Sequence, residues 1–283
     1  MSTPEAGTRS GNSLVSDTLV NFTRWNRKLL RNPTSFLLEI VVAVFSLLLF
    51  SAVFGEVGAF ALQQAGYVGI DYITFLLPAV LMQATMGSSF NSGIGLVKDL
   101  DSGMFEKTVV TPMSATAVFS GKAVSELLRI VVQLVIILGL ATVLGASIDL
   151  GISGALGIIA VCLLVGLLFM SIANIVGLLA RDEEALNAAS MLFMFPLLFL
   201  SPAFIPLSSD IELLATFNPV TYGVDAIRAL IVGEDVMTVL TVTRFGGLLN
   251  TLVPAVGILL AMNFVFGSLA VWLLGRASST EGQ

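Results

Sequence analysis

Histidine is missing from this chain of 283 residues, and cysteine occurs once, as Cys162. Those two scarcities exclude a Ser-His-Asp or Cys-His catalyst, a His-ligated metal and an intramolecular disulfide. Charge is scarce as well: Asp, Glu, Lys and Arg together make up 11% of the chain, against roughly 25% in an ordinary soluble domain. That is not the composition of a water-soluble fold. The net charge of −6 argues against nucleic acid, because neutralising phosphates takes clustered Lys and Arg. A phosphate-binding loop is also lacking. Around Gly121-Lys122, the pattern G-x-x-x-x-G-K-S/T would need Gly where Thr116 stands and Ser or Thr where Ala123 stands. The chain itself is therefore expected to hold no metal, nucleotide or cofactor and to be no enzyme.

What the sequence has in abundance is hydrophobic residues, 56% of the total, with a mean hydropathy of +0.98. The hydrocarbon core of a bilayer, about 30 Å thick, takes roughly 20 mostly apolar residues per helix. Six runs meet that length, at 36–54, 72–97, 123–146, 152–180, 185–206 and 248–274. Basic residues in short loops mark the cytoplasmic side. With the N-terminus inside, Arg9, Arg24, Arg27, Lys28, Arg31, Lys98, Lys107, Lys122, Arg129, Arg181 and Arg276 fall on the inner half, and only Arg228 and Arg244 fall outside. The expected class is an all-α integral membrane protein of the cell membrane, with six transmembrane helices and both termini cytoplasmic. Residues 1–12 and 277–283 are read as tails, 13–32 as an interfacial helix and 33–276 as one six-span domain.

Three segments are neither spans nor plain loops. Between Ser13 and Arg31, Val15, Leu19, Phe22, Trp25 and Leu29 recur at helical spacing, with Arg24, Arg27, Lys28 and Arg31 gathered toward the end. That pattern suits a helix lying in the headgroup plane, its bases meeting anionic lipid. In the second inner segment, charges of alternating sign (Lys98, Asp99, Asp101, Glu106, Lys107) surround Gly103, and Pro112 in Thr111-Pro112-Met113-Ser114 ends any helix begun at Met104. A short polar helix there is either a solvated loop or a docking knob for a soluble partner. Between the fifth and sixth runs, Asn218-Pro219 reads as an N-cap with proline at the first helical position, and Gly233 as the residue past the end. This outer helix carries an apolar stripe that includes Val220, Val224, Ile227 and Ile231. It is expected to lie on or dip into the outer leaflet, with Asp225 and Arg228 paired on another face.

Inside the spans, Glu39 and Glu126 are the acidic residues. Both sit near the inner edge, where pairing with Arg31 or Arg129 is expected rather than a proton site. Met82, Gln83 and Met86 in the second run, and Met191, Met194, Phe195 and Phe199 in the fifth, leave two readings open. The first is close packing of helices, and the second is a soft path for an amphiphilic substrate. Asn174 and Asn263 need no more than one interhelical hydrogen bond each.

Two motifs resemble those of the type-2 ABC exporter permeases, nearest the daunorubicin-resistance kind. One is Lys98-Asp99 through Gly103, Glu106-Lys107, Thr111-Pro112-Met113-Ser114 and Gly121-Lys122. The other is Ser201-Pro202-Ala203-Phe204-Ile205-Pro206, followed by Asn218-Pro219-Val220-Thr221-Tyr222, Asp225 and Arg228. A departure is Pro202, where the family usually carries Gly. The resemblance implies a half-transporter that pairs with a second copy or sister subunit and with two separate ATPase subunits, which would hold ATP and Mg. It further implies that Asp99, Asp101, Gly103, Glu106, Lys107, Thr111, Pro112 and Ser114 form a coupling helix region gripped by the ATPase, and that the outer helices are re-entrant. The second and fifth spans would line the path of an exported drug, lipid or glycan. The rival readings are a passive membrane scaffold, which the composition equally permits, and an intramembrane lipid-modifying enzyme, which the lack of His and of convergent acids disfavours.

Overall fold

The computed structural model describes residues 22–23, 26–27, 34–64, 70–101, 115–204, 206–207, 211–240 and 242–280. In chain order the helices are α1 (Thr34–Gln64), α2 (Tyr72–Asp101), α3 (Ala115–Val143), α4 (Gly151–Ala180), α5 (Glu183–Phe199), α6 (Glu212–Thr216), α7 (Pro219–Val232) and α8 (Leu249–Thr280). The described residues contain no strand, as the all-α expectation requires. Among them, five helices are long and apolar enough to cross a membrane: α1, α2, α3, α4 and α8.

The expected fifth run behaves differently from the other five. It forms α5, 17 residues long, or roughly 26 Å at 1.5 Å per residue, and it stops at Phe199 instead of reaching Pro206. Pro196 sits in its last turn and Pro202 follows, and proline cannot continue the helical hydrogen-bond ladder. The exposed end is covered by Asn218, whose Nδ2 donates to the carbonyls of Leu197 at 2.6 Å and Leu200 at 3.2 Å. The same side chain caps the next helix, accepting at Oδ1 from Val220 N at 2.9 Å. One asparagine thus closes α5 and opens α7. At its other end α5 begins at Asp182, whose Oδ1 accepts from Ala185 N at 2.7 Å, with Glu183 and Glu184 in the first turn where the helix dipole favours acids.

Helix α2 is the axis of the molecule. It packs against α1, α3, α4, α5 and α7, and 83% of its apolar stretch is buried, against 17% for α1 and 11% for α8. The polar residues of α2 explain that position, because small side chains let backbones approach and their hydroxyls bond across the interface. Ser89 Oγ donates to Gly166 O of α4 at 3.0 Å. At Gly93, an added Cβ would lie 2.8 Å from Ala173 Cβ and 2.9 Å from the Ala173 carbonyl oxygen. Gly93→Ala should therefore push α2 from α4 and lower stability by about 1–3 kcal/mol. Gly87→Ala, whose Cβ would meet nothing within 4 Å, serves as the control. Thermal midpoints in detergent micelles check the pair, and equal midpoints would refute this account of the α2–α4 contact.

The outer faces of α1, α3, α5 and α8 carry exposed Phe45, Phe60, Val135, Leu192, Phe264 and Trp272, the side chains expected against lipid tails. Asn263 on α8 donates to Leu164 O of α4 at 2.9 Å, the single interhelical bond foreseen for it.

Candidate functional site

Three places in the bundle bear on function, beginning at the end where α2 stops and α5 starts. There Lys98 pairs with Glu183 at 3.1 Å. Asp99 and Asp101 are the closing residues of α2. Gly103, Glu106, Lys107, Thr111, Pro112 and Ser114 lie outside the described residues, so the inner knob is untested by the geometry. Of the interfacial segment, residues 22, 23, 26 and 27 are helical, and Asn26 Nδ2 donates to Phe22 O at 3.0 Å, one turn back. Phe22 is half-buried and Arg27 exposed. Arg24, Trp25, Lys28 and Arg31 lie outside the described residues.

A buried polar cluster crosses α1, α2 and α3. Arg129 Nη2 makes a short, charged hydrogen bond to Glu39 Oε1. Its Nη1 lies 3.6 Å from Glu126 Oε2, one turn back on α3. Asn91 Nδ2 donates to the same Glu39 oxygen at 2.6 Å, and Lys122 Nζ donates to Ser92 O at 2.5 Å. Arg129 was one of the two partners, with Arg31, that the sequence offered Glu39 and Glu126. Asn91 as the third member was not, because nothing in the pattern says which face of α2 meets α1.

Beside this cluster opens a cavity of about 330 Å³ between α1, α2 and α5, lined by Leu38, Glu39, Val42, Ala43, Gln83, Ala84, Gly87, Asn91 and Met194. Gln83 and Met194, both path candidates, line it. The other candidates are placed elsewhere. Met82 and Met86 are fully buried, and Met82 reaches into the gap left by Gly223 of α7, where a Cβ would lie 2.9 Å from its sulfur. Met191, Phe195 and Phe199 are exposed on the outer face of α5. Phe199 stacks on Phe204 at 5.1 Å, and Phe204 meets Phe50 of α1 at 4.9 Å.

The outer helix departs from expectation in its surroundings. Pro219 through Ile231 are all buried, and α7 is held by α8, α4, α2 and α5. It is therefore wedged into the bundle, where the stripe alone suggested a helix lying on or dipping into a leaflet. Its charged residues are buried with it because each finds partners. Arg228 Nη2 donates to Pro202 O at 2.7 Å and lies 3.4 Å from Phe75 O, with the guanidinium 3.8 Å above the Phe75 ring. Asp225 Oδ2 accepts from Thr238 N at 2.9 Å and Thr238 Oγ1 at 2.7 Å. Burial pushes the Asp225 carboxyl up, to about 6, against the lowering effects of the Thr238 N–H and the Arg228 charge. Tyr222 donates to Thr216 O at 2.6 Å, tying α7 to α6. Asp235 Oδ1 accepts from Thr251 Oγ1 at 2.6 Å, and Thr251 accepts from Val236 N at 3.0 Å, so the segment after α7 is fastened to the start of α8.

Apolar helices long enough to span a bilayer, packed around α2, define a multi-pass membrane protein. Residues 17–232 match the ABC-2 type transporter family, which covers most of the chain, and the protein belongs to that family. The daunorubicin resistance ABC transporter permease protein DrrB1 of Streptomyces coeruleorubidus is 28% identical over 247 residues, 85% of this chain and 84% of its own length. A putative transport permease, ycf38, of Cyanophora paradoxa is 26% identical over 208 residues, 72% of this chain and 70% of its own. The chain is thus a transport permease subunit.

Proposed function

We propose that this permease is the six-crossing half of an ATP-driven exporter, with α5 and the turns after it as the additional crossing. ATP and Mg would be held by a separate ATPase present in two copies, and the permease would pair with a second copy or a sister subunit in the cell membrane. The observation that carries the reading is the mixed lining of the α1–α2–α5 cavity, apolar walls with a carboxylate and two amides, in a chain of this transporter family. A cavity of about 330 Å³ falls in the range of drug-sized ligand pockets, and the resistance named for the Streptomyces relative favours a drug-like amphiphile over a glycan. With both termini cytoplasmic, the end bearing Lys98 and Glu183 faces the ATPase. Closure of the ATPase then shifts the bundle between inward- and outward-open packings, and the segment from Asp99 to Ser114 transmits the motion.

The test is transport into inverted vesicles that contain the permease and its ATPase. Glu106→Ala, Thr111→Ala and Gly103→Pro should each cut ATP-driven transport by about fivefold or more, the size expected when about 1–2 kcal/mol of coupling is lost. The amount of permease in the membrane should not change. Unaltered transport in all three variants would overturn the coupling assignment.

A further inference from the structure

We propose that the strap after α7, residues 233–240, is a proton-controlled latch, held shut on α7 while Asp225 carries a proton and opened more readily once Asp225 has lost it. The inference goes beyond the permease reading and does not depend on it. The proposed orientation decides only that the outer medium supplies the proton.

Histidine, the usual side chain that changes charge near neutral pH, is missing from the chain, so a switch in that range takes a group displaced by its surroundings. Asp225 is placed for this. It is wholly buried, and both of its hydrogen bonds come from one residue of the strap. Oδ2 accepts from Thr238 N at 2.9 Å and from Thr238 Oγ1 at 2.7 Å, while Oδ1 has no hydrogen-bond partner among the described residues. Such burial penalises the ionised carboxyl far more than the neutral one, and it pushes Asp225 up to about 6. Lifting Thr238 removes both donors and admits water, which returns the carboxyl to its ordinary range. Because solvent does not reach the closed carboxyl, opening of the strap is also the step at which the proton passes to or from water. The latched form thus holds the proton more tightly than the open form. Its advantage is complete below the ordinary carboxyl value and is lost as the pH rises through about 6.

The neighbours of Asp225 leave it as the group that titrates with the strap. On α7 itself Arg228 lowers the carboxyl and Asp235 of the strap raises it, while the Tyr222 hydroxyl is committed to Thr216 O at 2.6 Å. Asp149, before α4, donates its backbone N–H to Ile231 O at 2.8 Å, six residues beyond Asp225. Of the helices packed on α7, α4 carries no charged residue and has Cys162 as its one ionisable side chain. Helix α2 brings Tyr72, whose hydroxyl donates to Phe204 O at 3.3 Å. The charged residues of α2, α5 and α8, Lys98, Glu183 and Arg276 among them, lie toward the opposite end of the bundle. The strap is tied to α8 by a separate clasp, in which Asp235 Oδ1 accepts from Thr251 Oγ1 at 2.6 Å and Thr251 accepts from Val236 N at 3.0 Å. Asp235 is exposed, so the two aspartates can be told apart by substitution.

The test is backbone hydrogen exchange, read by mass spectrometry on the full-length permease in lipid nanodiscs between pH 5 and pH 8, with each rate divided by the intrinsic rate at that pH. Peptides containing Thr238 should open about tenfold more often at pH 8 than at pH 5, the ratio that linkage gives for a carboxyl displaced from 3.8 to about 6. Asp225→Asn, neutral at every pH and still able to accept from Thr238, should open equally at both. Asp235→Asn should open more at both pH values and keep the tenfold ratio. Thr238→Val removes one of the hydrogen bonds that favour the ionised carboxyl, so its transition should move to higher pH, which keeps the test decisive should Asp225→Asn fail to fold. A wild type that opens equally at both pH values, a ratio that survives Asp225→Asn or vanishes in Asp235→Asn, or a transition that stays in place or falls in Thr238→Val would each overturn the proposal. The exchange is read without ATP or an ATPase, so its outcome is independent of the exporter reading.

Discussion

Arg129→Leu is expected to be the most damaging single substitution in the membrane interior, lowering stability by about 3–5 kcal/mol, the usual cost of stranding buried charges. Arg129 is shared by Glu39 on α1 and Glu126 on α3, and all three side chains are largely hidden, with exposures of 7%, 16% and 4%. Removing the guanidinium takes away the cation that the two carboxylates share. Arg129→Lys should recover only part of the loss, because an ammonium is a point charge and cannot reproduce the fork that reaches both acids. Unfolding midpoints followed by size-exclusion chromatography after heating in detergent would show the order wild type, Lys, Leu. A Leu variant as stable as the wild type would mean that the cluster does not hold α1 to α3.

The second large effect concerns the end of the bundle where α5 stops. Arg228→Ala should cost about 3 kcal/mol, combining lost hydrogen bonds from a charged donor with a buried Asp225 left without its nearby positive charge. The side chain pins three elements at once, through Pro202 O after α5, the Phe75 ring on α2 and its own helix α7. Loss should therefore loosen the break after α5 as well as α7. A cysteine placed at Leu200 would report this as faster labelling by a membrane-impermeant maleimide, an effect that a merely global loss of stability would spread to exposed Val143 as well. Arg228→Lys should keep the charge and lose the stacked plane, giving an intermediate result. Equal labelling in the wild type and the Ala variant would remove Arg228 from the role of anchor.

Much of this organisation was legible beforehand, and the reasons can be named residue by residue. The ends of α7 were readable from Asn218, Pro219 and Gly233 because caps act within a few residues, and the structure places Gly233 at φ 79, where glycine carries no Cβ penalty. A shared depth near one membrane edge offered Glu39 and Glu126 either Arg31 or Arg129 as partner, and among the described residues the contact is with Arg129. The burial of α7 did not follow, because a stripe of Val and Ile shows that one face is covered and says nothing of the other. On another face Arg228 meets the Phe75 ring and the Pro202 carbonyl, which come from distant parts of the chain. The length of α5 was misjudged for a similar reason. The apolar run continues through Pro202, yet the helix ends where Asn218, eighteen residues downstream, can satisfy its carbonyls.

The sequence by itself determined the solvent in which this protein folds and the approximate place of its long helices, since composition, run length and local caps need no knowledge of neighbours. Only the tertiary structure decided that Gln83 and Met194 share a cavity while Met82 and Met86 do not. It also put a carboxylate at one end of that cavity and turned a surface-looking helix into a buried wedge. Those outcomes depend on which faces of separate helices meet, and between apolar helices in a membrane that choice is made by close packing and interhelical hydrogen bonds, which a hydrophobic pattern does not encode.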